Sequence, residues 1–174
     1  MRKVNFFLIG VATLIGFLCL IAVFLPPGIT VSKSVVINTN EQQVARQIDD
    51  FENWKNWYPA FQNKDITAEI SQKNDTSFAI LTNENKKKIS LVLSKSSPQN
   101  INIRVSEESG DTKTYGFVLS PNGAQQTQLT WNVNIQLGWY PWRKLAGIFL
   151  DKVTGPHYEA ALQNLKIVAE KTTH

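Results

Sequence analysis

The sequence has 174 residues, a net charge of +4 and a single cysteine, with 43% of its residues apolar. Beyond a long apolar N-terminal run, about 145 residues remain, enough for one domain with a real core. Arg2 and Lys3 account for two of the four excess positive charges. The rest is nearly neutral, which argues against specific nucleic-acid binding, and a lone Cys19 excludes an intrachain disulfide framework.

In chain order, Phe6 to Leu25 comes first, a run without a charged residue. As a helix it would match a ~30 Å hydrocarbon core at ~1.5 Å per residue. No small-residue cleavage site follows it, and Leu18 before Cys19 does not suit a lipoprotein signal. The expectation is an uncleaved single-pass anchor over 1–27, with a folded domain over 28–174. Two cations before the span place the N-terminus in the cytoplasm and the domain outside the cell membrane.

Ile29 to Ile37 alternates as a strand, with Val31, Val35 and Ile37 on one face. Asn38-Thr39-Asn40 supplies helix caps, with Thr39–Gln42 or Asn40–Gln43 as the capping pair. Val44, Ile48 and Phe51 then recur at helical spacing. The densest aromatic stretch follows, Trp54, Trp57, Tyr58 and Phe61, with Pro59 biasing Tyr58 toward extended geometry. From Ile66 to Leu137 the period is two. The inward sets read as Ile66/Ala68/Ile70, Phe78/Ile80, Ile89/Leu91/Leu93, Ile101/Ile103/Val105, Tyr115/Phe117/Leu119 and Leu129 through Leu137. Turn residues separate these runs, including an Asn122-Gly123 pair suited to a type I′ hairpin. Short connections between alternating strands predict an antiparallel meander with one wet face.

The last segment, Trp142 to about Lys171, carries apolar residues at helical spacing. Phe149 and Tyr158 fall nine residues apart, on opposite sides of one straight helix. With Gly155 and Pro156 between them, the expectation is a break or sharp kink near Gly155, with Pro156 opening a second helix. The fold class is therefore α+β: seven antiparallel strands curved around a long C-terminal helix, after one transmembrane helix.

The order of elements and three local patterns resemble the SRPBCC superfamily, also called START-like or Bet v 1-like. The nearest branch is the polyketide cyclase/dehydrase and lipid-transport family. The patterns are Ser34-Val35-Val36-Ile37-Asn38 before a capped helix; Asp49, Trp54, Trp57 and Pro59; and Gly155, Glu159, Leu162, Leu165, Lys166 and Glu170. The resemblance implies a helix-grip fold with a cavity between sheet and C-terminal helix. The residues expected to line it are Trp54, Trp57, Tyr58, Phe61, Phe78, Leu91, Ile103, Tyr115, Phe117, Trp131, Val133, Phe149, Tyr158 and Leu162. The membrane segment runs from Phe6 to Leu25.

Little in the sequence points to catalysis. His157 and His174 are far apart, so no metal cluster is expected and no cofactor is assigned. Glu107 and Glu108 are adjacent on a strand and point to opposite faces. Nucleophile-elbow and phosphate-loop motifs are absent. Lys86-Lys87-Lys88 reads as a solvated hairpin or a contact for anionic headgroups. The aromatics read as cavity wall, core or partner surface, with Trp139, Tyr140 and Trp142 also suited to a bilayer interface. The expected function is a membrane-anchored domain that binds a lipid-like hydrophobic or amphipathic small molecule. One alternative is a cyclase or dehydratase using His157, Tyr115 or Tyr158. The other is a protein-interaction module similar to Hsp90-activator-like domains.

Overall fold

The period-two region and the strand at Gly28–Ile37 together form a seven-stranded antiparallel sheet in the computed structural model. The structure describes residues 2–24, 26–73, 76–108, 112–123, 125–137, 143–144, 147 and 149–171; the side chains of 2–7, 22, 95 and 96 are outside this description. The elements are α1 (Arg2–Phe24), β1 (Gly28–Ile37), α2 (Glu41–Ile48), α3 (Phe51–Trp54), α4 (Pro59–Gln62), β2 (Ile66–Lys73), β3 (Thr76–Asn83), β4 (Lys88–Ser97), β5 (Asn100–Glu107), β6 (Thr112–Pro121), β7 (Thr127–Gln136) and α5 (Leu150–Lys171). The strand order is β1-β7-β6-β5-β4-β3-β2. Strands β2 to β7 make the expected meander. Because β1 and β2 lie at opposite edges, α2 to α4 must carry the chain across the whole width of the sheet.

The pairing register explains how the inner face is divided. One row across the sheet runs Ile135, Lys113, Val105, Leu91 and Ala79. The next runs Val31, Val133, Tyr115, Ile103 and Leu93. A third holds Lys33, Trp131, Phe117 and Ile101. The last two rows are largely apolar and form the floor of the core. The first row carries Lys113 in its middle, whereas Lys33 sits at the edge end of the third, and the site is built beside the first row.

The β3 strand faces opposite to the reading from its sequence. Ala79 and Leu81 are buried, whereas Phe78 and Ile80 are only half-buried. Both faces of β3 are apolar, so its own alternation does not choose between them. Its neighbours do: Ala79 pairs with Ile70 and Leu91, and Leu81 with Ala68 and Ile89. A one-residue slip would turn every side chain over. Phe78 therefore lies on the outer face, paired with Val92.

The break expected at Gly155-Pro156 is also corrected, because α5 runs unbroken through both residues. A proline here removes the hydrogen bond to the carbonyl of Lys152. Lys152 and Pro156 are both exposed, so water can take that carbonyl. The Thr154 hydroxyl donates to Leu150 O at 2.8 Å in the same turn. The helical bonding reaches back to Phe149, whose carbonyl accepts from Val153 N at 3.3 Å. Helical phase then holds Phe149 opposite Tyr158, and Phe149 is 62% exposed. The Asn122-Gly123 hairpin differs as well. Five residues separate β6 from β7, and of the pair only Gly123 has a positive φ, +98°.

Gly155 marks where α5 meets β1. A methyl group there would come within 3.1 Å of the end of Lys33. Lys33 reaches from the inner face of β1 to Glu159 at 2.8 Å and Asp151 at 3.6 Å. The hydrogen bond to Glu159 raises its ammonium pKa; the Asp151 charge adds to this and partial desolvation opposes it.

Every described side chain of α1 is exposed, many of them large and apolar, such as Leu14 and Phe17. Among the described residues no helix is long and apolar enough to cross a membrane. The described side chains of α1 run unbroken only from 8 to 21. Leu25 lies outside the described residues, and for Phe6 only the helical backbone is described.

Local capping supports the crossover. Asn40 is the N-cap of α2 and accepts from Gln43 N at 3.0 Å, while Asp50 caps α3 through Glu52 N at 2.9 Å. Replacing Asn40 with Ala should cost about 1 kcal/mol, read as a lower urea midpoint at unchanged slope. An unchanged midpoint would mean that the cap does not stabilise the crossover.

Candidate ligand cavity

One half of the concave space is filled. Trp54, Trp57, Phe117 and Trp131 are all fully buried and pack edge to face, stacked or, for Trp54 and Trp57, tilted, with centroids 4.8 to 6.4 Å apart. The Trp54 indole N–H donates to Ile48 O at 2.9 Å and that of Trp57 to Gln47 O at 3.0 Å. Both acceptors belong to the last turn of α2, whose final carbonyls have no partner within the helix. The indoles therefore cap α2 and plug the core together. Asn164 of α5 donates to Trp57 O at 3.2 Å, tying helix to plug.

The other half is open. A cavity of about 270 Å³ lies between the sheet and α5. Its floor is Leu81, Ile89, Leu91 and Val105, with Ala60 at one side and Thr154, His157 and Tyr158 above. Pro59 at the start of α4 holds Tyr58 extended, with φ −89° and ψ 118°, so Tyr58 lines the cavity while Trp57 enters the plug. A second space of about 370 Å³, lined by Ile66, Asn83, Lys87, Lys88 and Glu108, shares Leu81, Ile89 and Glu107 with the first. The two adjoin along these residues and together make up the trough, with the second space at the β3–β4 hairpin.

Three tyrosines form the polar end. Tyr58, Tyr115 and Tyr158 all line the inner cavity. The Tyr58 and Tyr115 hydroxyls are 3.4 Å apart, and the Tyr115 and Tyr158 rings meet edge-on at 6.2 Å. All three rings lie against Trp131, at 6.0, 5.3 and 5.0 Å. Burial raises all three phenol pKa values. For Tyr58 the bond with Tyr115 partly offsets this, whereas for Tyr115 the charges that Tyr58 and Tyr158 would carry raise it further. Beside them Lys113 pairs with Glu107 at 2.6 Å.

These neutral phenols can donate and accept hydrogen bonds but do not serve as bases near neutral pH. A raised folded-state pKa means that the stability contribution is whole below the unfolded value of about 10 and is lost as pH rises past it. The chain has four tyrosines. In a phenolate absorbance titration, three of them should stay protonated at pH about 10 and ionise only as the fold is lost. Four ordinary titrations near that pH would contradict the buried cluster.

Of the residues expected around a cavity, Tyr58, Leu91, Tyr115 and Tyr158 line this one. Trp54, Trp57, Phe61, Ile103, Phe117, Trp131, Val133 and Leu162 are buried in the adjoining core instead. Phe78 and Phe149 take no part, for the reasons of register and helical phase given above. Trp139, Tyr140, Trp142 and His174 lie outside the described residues. Sequence reading missed Ala60, Leu81, Ile89, Val105, Glu107, Lys113 and Thr154 as lining residues, and named His157 only as a catalytic candidate. The Lys113–Glu107 pair had a legible signal, since the two residues bracket one hairpin turn. Among the described residues no group of three or more His, Cys, Asp or Glu could hold a metal ion.

The family described as "Polyketide cyclase / dehydrase and lipid transport" matches residues 28–170. No curated protein matches the sequence. Among solved structures, the Zhui aromatase/cyclase from Streptomyces sp. R1128 superposes with a TM-score of 0.64 at 14% identity, over 84% of this chain and 96% of that one. The di-domain aromatase/cyclase StfQ of the steffimycin biosynthetic pathway gives 0.63 at 11% identity, over 84% and 52%. A protein from Thermus thermophilus gives 0.59 at 17% identity, over 84% and 100%. At these identities the likeness is one of fold.

Proposed function

We propose that this chain, which belongs to the polyketide cyclase/dehydrase and lipid transport family, binds an amphipathic, lipid-like small molecule between its sheet and α5 while α1 holds it at the cell membrane. The observation that carries the reading is the trough beside the aromatic plug, apolar along its floor and polar at its inner end. Apolar burial of ~25 cal/mol per Å² supplies the affinity, and the phenols orient the ligand. For the anchor, support comes from the chain itself. The 23 residues of α1 measure about 35 Å as a helix, and its only charges are Arg2 and Lys3 at the start. That charge placement sets the N-terminus in the cytoplasm and the domain on the other side.

Native mass spectrometry of the full chain in lipid nanodiscs, incubated with a lipid extract, tests the reading. A stoichiometric apolar adduct is expected. A clean apo mass would contradict it.

A cyclase or dehydratase is the second reading, favoured by the placement of His157, Tyr115 and Tyr158 around one cavity. Conversion of a bound ligand that His157→Ala abolishes would establish it over simple binding. A filled core with an exposed Trp54/Trp57 patch would favour the interaction-module alternative; both side chains are buried.

A further inference from the structure

We propose that the inner end of the trough selects an uncharged acceptor oxygen, a carbonyl or ether on an apolar skeleton, over a carboxylate or phosphate. This rests on the ligand-binding reading above and adds the ligand's polar group to it.

A phenol has one O–H and can accept through its oxygen. Each link in a row of hydroxyls uses one donor. Tyr58, Tyr115 and Tyr158 lie together along the cavity wall, with the first pair of hydroxyls 3.4 Å apart; three hydroxyls in a row make at most two such links, so at least one O–H is left over. A second donor lies behind them. The Trp131 indole N–H is buried and has no acceptor among the described residues, although the Trp131 ring touches all three tyrosine rings. Trp131 does not line the cavity, but the phenols do, and an acceptor oxygen beside their left-over O–H gains more than a methylene would.

The same site disfavours an anion. Lys113, the one lysine or arginine among the described residues lining the inner cavity, is already held by Glu107 at 2.6 Å. A ligand carboxylate would be desolvated without a free cation and close to the Glu107 charge. Burying an unpaired charge costs far more than burying a carbonyl. Lys87 and Lys88 line the second space and not the inner end.

Methyl nonyl ketone and decanoate test this, because they have the same shape and differ by a methyl group in place of O⁻. Binding is measured by tryptophan fluorescence on the full chain in nanodiscs, with empty nanodiscs as the blank. The ketone should bind at least about tenfold more tightly. Tyr115→Phe and Tyr58→Phe, which keep the rings, should each weaken ketone binding about three- to tenfold. The infrared carbonyl stretch of bound ketone should also shift to lower frequency in the unmodified protein, a readout independent of how the variants fold. Equal or tighter binding of decanoate, or an unshifted carbonyl, would overturn the inference and leave the cavity reading standing. Binding of neither probe would overturn both.

Discussion

Replacing Leu91 with Trp is expected to weaken ligand binding roughly thirtyfold while leaving the domain folded. Leu91 lies mid-floor in the trough, paired with Ala79 on one side and Val105 on the other. An indole there projects into the 270 Å³ cavity and not into packed core. Adding atoms to a filled core typically costs about 1–3 kcal/mol, but open space beside the site relieves most of that. If the indole denies a ligand about 80 Å² of apolar contact, at ~25 cal/mol per Å² the loss is ~2 kcal/mol, or roughly thirtyfold in affinity. Titration of the variant with methyl nonyl ketone measures the loss, and urea unfolding shows that the fold is kept. Undiminished affinity in a folded variant would move the site elsewhere.

Trp54→Ala should be the most destabilising single change in the plug, at about 3–5 kcal/mol. The side chain is fully buried and packs against Phe51, Trp57, Tyr58, Phe61 and Phe117. Its loss opens a cavity and leaves the Ile48 carbonyl at the end of α2 without its donor. Domains of this size have total stabilities of about 5–15 kcal/mol, so the variant should be marginal or unfolded. Trp54→Phe keeps one aromatic ring and loses the N–H with part of the indole, so it should lose less than the alanine variant. Urea denaturation measures both. A loss below about 1 kcal/mol for the alanine variant would mean that the plug does not organise this half of the core.

The sheet could be read from the chain because most of its strands have one apolar face. β7 alternates without exception from Leu129 to Ile135, and the structure buries those residues. In β3 both faces are apolar, so the decision passed to β2 and β4, and neighbour register does not show in a single strand's pattern. The case of α5 is similar. Gly155-Pro156 carries the local signal of a break, but an exposed Lys152 carbonyl removes much of the cost of continuing, and exposure is a property of the fold. The aromatic stretch was legible as an important cluster but not as two parts. Tryptophan indoles need acceptors, and the only way to learn that Trp54 and Trp57 find theirs on α2 is to know where α2 ends. Tyr58, one residue further on, is turned into the open half by Pro59. Tyr115 and Tyr158 join it only through strand register and helical phase.

The measurement that bears most directly on the central claim is photo-crosslinking of the full chain in nanodiscs with a diazirine-bearing fatty alcohol, followed by peptide mapping. Adducts on the inner face of β4 to β6, around Leu91, Val105 and Tyr115, and on α5 between Thr154 and Tyr158, are the predicted result. Adducts confined to α1 and the outer face of the sheet would show that the domain carries no ligand between its sheet and helix.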